Sequence, residues 1–235
     1  MIPRTKLPLF LAASLLTCLT GCVFVLDGDG AHWHDGRYRN NAIRGSGVSK
    51  TEVRTVADFH RIEINGGCDV ALTVGSPASL TLTADDNLLP YLVTEVRDGA
   101  LVVEMKSGSY APTTAMKLVA TVPALDAMIV RGSSDAVLNG LTGERFTVQI
   151  SGSGDVRASG KVGAVAAKIT GSGDLRLLDL EAREAVVEVS GSGDVDVWAT
   201  EALVASIAGS GNVSYKGETA KVTKSIAGSG SIRKR

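Results

Sequence analysis

A tetrapeptide close to Gly-Ser-Gly-Asp recurs through the second half of this 235-residue chain at a nearly constant interval. It begins at Gly132 (Gly-Ser-Ser-Asp), at Gly152, Gly171 and Gly191 (Gly-Ser-Gly-Asp), at Gly209 (Gly-Ser-Gly-Asn) and at Gly228 (Gly-Ser-Gly-Ser). Successive copies therefore lie 20, 19, 20, 18 and 19 residues apart. A self-similar period of this size marks a stacked repeat architecture, in which each unit buries its apolar side only against its neighbours.

The residues between the glycines decide which kind of stack. Two positions before each first glycine stand Val130, Ile150, Ile169, Val189, Ile207 and Ile226, a column of β-branched aliphatics. The residue before that column is polar in the last five copies: Gln149, Lys168, Glu188, Ser206 and Ser225. One step further back come Val148, Ala167, Val187 and Ala205, apolar until Lys224. Period-2 alternation of this kind reads as a half-buried strand. A second short strand follows each turn, with Val156, Leu175, Val195, Val213 and Ile232 inward. Arg157, Arg176, Asp196, Ser214 and Arg233 then point outward. No apolar stripe has helical spacing, and Gly and β-branched residues are too frequent for a helix. Two strands in roughly 19–20 residues leave no room for crossover helices. Such coils stack as parallel strands about 4.8 Å apart, and six of them span on the order of 25–30 Å. The fold class is all-β, a parallel β-helix or β-solenoid, with glycines at its corners.

The N-terminal part is punctuated differently. Arg4 and Lys6 precede an apolar run from Leu7 to Leu19 and then Thr20-Gly21-Cys22. This reads as an export signal over residues 1–21, too short for a stable membrane span. Leu19-Thr20-Gly21-Cys22 resembles the bacterial lipobox, which implies cleavage before Cys22 and lipidation of that cysteine; an ordinary cleaved signal is the other reading. Several acyl chains make a stable anchor where one is marginal. Val23 stands where enteric bacteria carry the Asp of an inner-membrane retention signal, so the expected location is the cell envelope, at the outer membrane. Loss of Arg4 and Lys6 takes the formal charge from −1 to −3, too mild for a nucleic-acid partner. After Cys18 in the signal and Cys22 in the lipobox, Cys68 is the remaining cysteine. An internal disulfide is thereby excluded. Residues 22–48 (Asp27-Gly28-Asp29-Gly30, Asp35-Gly36, Gly45-Ser46-Gly47) lack apolar periodicity and read as a flexible tether.

The solenoid domain is expected over residues 49–235, with irregular coils over 49–125 and regular ones over 126–235. A separate N-terminal β domain is the alternative for the first part. Gly67-Cys68-Asp69-Val70 looks like a degenerate copy of the repeated turn. The run Val56-x-x-Phe59-x-x-Ile62-x-Ile64, Gly67-x-Asp69-Val70, Asp86-Asn87-Leu88-Leu89, Val122-Pro123-x-Leu125 and the serial Gly-Ser-Gly-Asp turns resembles, from about Val53 to Ile232, the bacterial family described as "putative auto-transporter adhesin, head GIN domain". That resemblance implies a right-handed parallel β-helix on an exported or anchored protein. The adhesin label is an analogy, and a fold does not carry a function with it.

The candidate chemistry centres on the turn column Asp135, Asp155, Asp174 and Asp194, continued by Asn212 and Ser231. A column of carboxylates could bind Ca²⁺, but the nine-residue repeat of calcium β-rolls is absent. Asp, Asn and Ser also hydrogen-bond the backbone of their own turn, and the drift to Asn and Ser keeps that bonding while discarding charge. Stacked carboxylates repel by roughly 1 kcal/mol per pair in water, which an exposed corner tolerates. The column is therefore read as structural. His32-Trp33-His34-Asp35 lacks enough ligands for a metal site, since His60 is the only other histidine. Cys68 with His60 reads as a buried, inert thiol rather than a nucleophile. No Gly-x-Ser-x-Gly elbow, Walker loop or Rossmann fingerprint is present, so no cofactor is implied. Trp198 and Tyr215, in neighbouring coils, read as core and cap residues rather than a sugar platform.

The sequence thus describes a lipid-anchored extracytoplasmic solenoid, non-catalytic and adhesin-like, facing a protein or glycan of the cell envelope. A carbohydrate-binding or carbohydrate-active β-helix and a Ca²⁺-binding repeat protein are the rival readings.

Overall fold

The computed structural model describes residues 41–235. The first ten strands are β1 (Ile43–Arg44), β2 (Ser49–Val53), β3 (Arg61–Gly66), β4 (Cys68–Val74), β5 (Ser79–Asp85), β6 (Leu92–Arg97), β7 (Ala100–Met105), β8 (Tyr110–Ala111), β9 (Met116–Val122) and β10 (Ala127–Gly132). The regular part contains β11 (Ala136–Gly152), β12 (Val156–Gly171), β13 (Leu175–Gly191), β14 (Val195–Gly209), β15 (Asn212–Lys216), β16 (Lys221–Gly228) and β17 (Ser231–Lys234). All but β1 and β8 belong to one 15-stranded sheet that winds into a β-solenoid.

From β10 onward the coils stack parallel and in register. Ile64, Val130, Ile150, Ile169, Val189 and Ile207 pair in succession along the axis, and each is essentially buried. The post-turn column (Val70, Ala136, Val156, Leu175, Val195, Val213) is equally buried. A fully buried aliphatic side chain contributes roughly 1.5–3 kcal/mol, so these two columns hold the stack together. Between them, each coil differs from the expected pair of short strands. In β11 to β14 the post-turn and pre-turn segments run on as one bent strand of 15–17 residues. The far corner is a bulge, seen as register shifts at Leu138/Leu141, Arg157/Ser159 and Leu177/Glu181. A bulge turns the chain while keeping most of the ladder.

The last coil departs from the pattern. Ile226 aligns with Ile207 yet is 45% exposed, because no described strand stacks on β16. Lys224 occupies the position of Ala205 and Lys234 that of Tyr215.

The first half joins the same stack, but out of chain order. β3 and β4 form a coil whose Gly66 pairs with Gly132. Gly67-Cys68-Asp69 therefore takes the place of Ser133-Ser134-Asp135 in the repeated turn. β10 and β11 lie on one side of this coil, and β7 and β9, which come later in the chain, lie on the other. Three antiparallel pairings, β2–β5, β5–β9 and β6–β7, finish that end. The stack is thus parallel in its body and antiparallel at its base.

Residues 42–48, expected to belong to the tether, are bound to the domain: β1 pairs with β8, and Gly45 N–H donates to the Ala111 carbonyl at 2.9 Å. The signal peptide, Cys22, and His32-Trp33-His34-Asp35 lie outside the described residues.

Candidate functional site

The acid column is continuous and begins one coil earlier than the sequence suggests. Asp69 Oδ1 accepts the backbone N–H of Asp135 at 3.1 Å. Asp135 Oδ1 accepts that of Asp155 at 2.9 Å, Asp155 that of Asp174 at 3.1 Å, and Asp174 that of Asp194 at 3.0 Å. Asp194 Oδ1 accepts from both the backbone and the side chain of Asn212, at 2.7 and 3.0 Å. Ser231 Oγ closes the series on Asn212 Oδ1 at 2.7 Å. The partner is therefore the next coil and not, as expected, the residue's own turn. The sharp corner explains this, because the N–H of each turn Asp points along the axis, where the carboxylate of the adjoining coil meets it. In return, the N–H of the residue after each Asp donates to the next Asp carbonyl, as from Ala136 to Asp155 and from Val156 to Asp174 at 2.8 and 2.9 Å. Arg176 spans Asp155 and Asp174 at 3.1 and 3.2 Å, offsetting the repulsion within the column. One oxygen of each carboxylate is thus committed to the fold. Among the described residues, no three Asp, Glu, His or Cys side chains are grouped to hold a metal ion.

A second polar cluster, which the sequence analysis missed, fastens residues 44–48. Asp85 is fully buried. Its Oδ1 accepts the N–H of Gly47 at 2.8 Å, and its Oδ2 accepts those of Thr113 and Thr114 at 2.8 and 3.1 Å. Burial opposes its ionisation, but these N–H donors prevail and hold the carboxyl below its ordinary range. Asn87 donates to the Arg44 carbonyl and accepts from Ser46 N–H, both at 2.9 Å. Asp86-Asn87, part of the resemblance, is therefore one jaw of a clasp on the N-terminal strap.

Beside the strap lies a groove of about 520 Å³. It runs between the Val53–His60 linker and the corners at Ala78–Leu80 and Thr121–Ala124, with Val56, Phe59, Leu80 and Pro123 in its walls. The irregular base builds this groove, and a second cavity, of about 360 Å³, lies on the regular coils beside Arg157, Arg176, Asp179 and Asp196. Asp58 is the groove's one acidic lining residue, whereas glycoside hydrolysis needs two carboxylates across the bond. Next to the groove, Val53, Thr81, Val119, Ala71 and Val137 form a row across five strands on the outer face of the sheet. Val53, Val119 and Val137 are 79%, 51% and 39% exposed.

Cys68 is buried, and burial together with the Asp69 charge pushes its thiol up to about 12. The backbone of His60 instead holds the coil base, its N–H donating to the Gly99 carbonyl and its carbonyl accepting from Asp126 N–H. Trp198 and Tyr215 are capped by Lys216 and Lys224, at 4.1 and 5.1 Å from their ring centres.

The architecture defines an all-β solenoid protein whose repeated carboxylates serve inter-coil bonding. The profile of the family described as "Putative auto-transporter adhesin, head GIN domain" matches residues 58–219, and the chain belongs to that family. A "putative adhesin" from Bacteroides fragilis has the same fold, with a TM-score of 0.68 and 24% identity over 83% of this chain and 100% of that one. A second from Parabacteroides merdae superposes with a TM-score of 0.56 at 22% identity, covering 83% and 99%. A "putative lipid binding protein" from Parabacteroides distasonis is 28% identical, with a TM-score of 0.55 and coverage of 83% and 99%. No curated protein matches. The strap lies outside the span of the family profile.

Proposed function

We propose that the protein is a lipid-anchored, extracytoplasmic binding module, adhesin-like and without catalytic chemistry. The anchor is Cys22, and the module holds a protein or glycan partner of the cell envelope. The observation that carries this reading is the division of side chains over the solenoid. The carboxylates of the turn column are engaged in hydrogen bonds between coils, the Cys68 thiol is buried and protonated, and the groove has a single acid. The exposed apolar row Val53–Thr81–Val119–Ala71–Val137 lies beside the groove, whereas the paired Val186 and Val204, each 45% exposed, line neither cavity. An apolar row flanked by threonines is a surface for contact rather than for reaction. Family membership, with its adhesin description, agrees with an envelope location.

Two experiments test the two halves. Cys22→Ala should abolish lipidation and leave an unprocessed or soluble species on membrane fractionation; unchanged fractionation with the same processing site rules out the anchor. A photo-crosslinking residue placed at Val119 should capture an envelope component in living cells, and one at Glu188, on the other face, should not. Capture at Glu188 and not at Val119 would move the binding surface away from the row.

A further inference from the structure

The far end of the solenoid differs in charge from everything below it. Residues 218–235 hold Lys221, Lys224, Arg233, Lys234 and Arg235 with Glu218 as their one acid, a formal +4. Residues 42–217 hold 15 Lys and Arg against 21 Asp and Glu, a formal −6. Two of these lysines end core columns. Lys224 follows Val148, Ala167, Val187 and Ala205, and Lys234 follows Leu177, Val197 and Tyr215. A further coil would have to bury both ammonium groups, so the stack is terminated by its own side chains. Lys224 Nζ reaches across the end of the core to the Ile232 carbonyl at 3.1 Å. Val222 and Ile226 stay 36% and 45% exposed beside it. The ion pairs here are long and solvated: Lys234–Glu218 at 3.6 Å, with Glu218 99% exposed, and Arg235–Asp196 at 3.5 Å.

We propose that this end face docks on an anionic phospholipid surface, with lysine and arginine on the headgroups and Val222 and Ile226 against the interface. One or two lysines suffice to deter strand addition at an open edge. Five cations around an apolar centre, on a domain otherwise net negative, exceed that need and match what an anionic bilayer offers, a charged layer over an apolar one. An acidic protein segment would pair with the charges but leave the aliphatic centre uncovered. The inference rests on the envelope location proposed above, but not on lipidation, and its test needs none.

The mature chain without its lipid, residues 22–235 carrying Cys22→Ala, is mixed with vesicles of phosphatidylcholine alone and with vesicles containing phosphatidylglycerol, and binding is read by cosedimentation. Binding to the anionic vesicles only, released by raising the salt, is expected. Reversal of Lys221, Lys234 and Arg235 to Glu should weaken it about a hundredfold or more, taking about fivefold for each cation lost. Reversal of Lys161, Lys168 and Arg183 on the sides should leave it within about twofold. Should the first triple variant fail to fold, the salt dependence of the parent and the side-face variant still decide. Equal binding to both vesicle types, no binding to either, or equal loss in both variants would overturn the proposal. So would capture of poly-glutamate with no vesicle binding. If Cys22→Ala fractionates as soluble in cells but binds anionic vesicles, the anchor and the docking face are separate contributions.

Discussion

Replacement of Gly171 by alanine is the sharpest probe of how closely the coils approach. Gly171 has φ +137°, a conformation that L-residues with a side chain avoid at a cost of about 1–3 kcal/mol. A Cβ built there would stand 2.2 Å from the Gly152 carbonyl oxygen of the coil below. Ordinary contact lies well beyond that, so the two coils must part locally by an ångström or more. That same oxygen accepts the N–H groups of Ser172 at 2.9 Å and Gly173 at 3.3 Å. Loss of these bonds adds about 0.5–1.5 kcal/mol each. The expected cost of Gly171→Ala is therefore about 2–6 kcal/mol, a large part of the stability of an ordinary domain. Gly143 is the internal control. It has a similar φ of +144°, but an added Cβ would meet nothing within 4 Å. Gly143→Ala should show the backbone cost alone, about 1–3 kcal/mol. Urea unfolding followed by circular dichroism gives both values from the shift in midpoint at unchanged slope. Equal destabilisation by the two variants would mean that the corner glycines serve backbone conformation only and that the coils do not touch there.

Ile169→Ala, at a fully buried position between Ile150 and Val189, should cost about 2–4 kcal/mol in the same assay. Lys168→Ala, which loses only the exposed 3.1 Å pair with Glu188, should stay within about 0.5 kcal/mol; equal effects would reverse the assigned faces. Asp174→Asn keeps an acceptor for Asp194 N–H, so its melting temperature should match the parent's, and millimolar calcium should move neither. A calcium-dependent rise in the parent would restore the metal reading of the column. Asp85 has a folded pKa below its unfolded value near 3.8, so the stability it confers is complete above that pH and is lost as the pH falls through the folded value. Asp85→Asn should lower the melting temperature at pH 7, with the gap to the parent narrowing below pH 3.8; a constant gap would refute the role given to its charge.

The body of the solenoid was legible because one position recurs at one offset. Ile150, Ile169, Val189 and Ile207 declare a column without any knowledge of the turns between them. The acid column was legible in its members but not in its bonding, since an Asp that caps its own turn and one that caps a turn 19 residues away leave the same trace in a sequence. Gly66, Gly67 and Asp69 carried enough of the turn to be recognised as a copy. Their neighbour in the stack is Gly132, a separation that no local pattern reports, and the coil of β7 and β9 enters beneath them only after 30 intervening residues have begun the base. The strap was misread for a physical reason. Gly45-Ser46-Gly47 has no apolar side to bury, and its order is imposed by Asp85, Asn87 and Thr113 from far along the chain. The groove was missed because it belongs to corners of three separate segments.

The coils between Gly152 and Gly209 pair their strands only with the coils directly above and below them, whereas the clasped base and the lysine-tipped end each hold features found nowhere else. Duplication or loss of one unit of 18–20 residues in that stretch would change neither end. Each unit would move them apart or together by one strand spacing, about 4.8 Å. Reach is therefore the property that such a chain can alter in even steps without reworking either surface. Relatives built this way should differ in the distance they hold between base and tip before they differ in what base and tip contact, as a ruler is lengthened by adding marks in its middle.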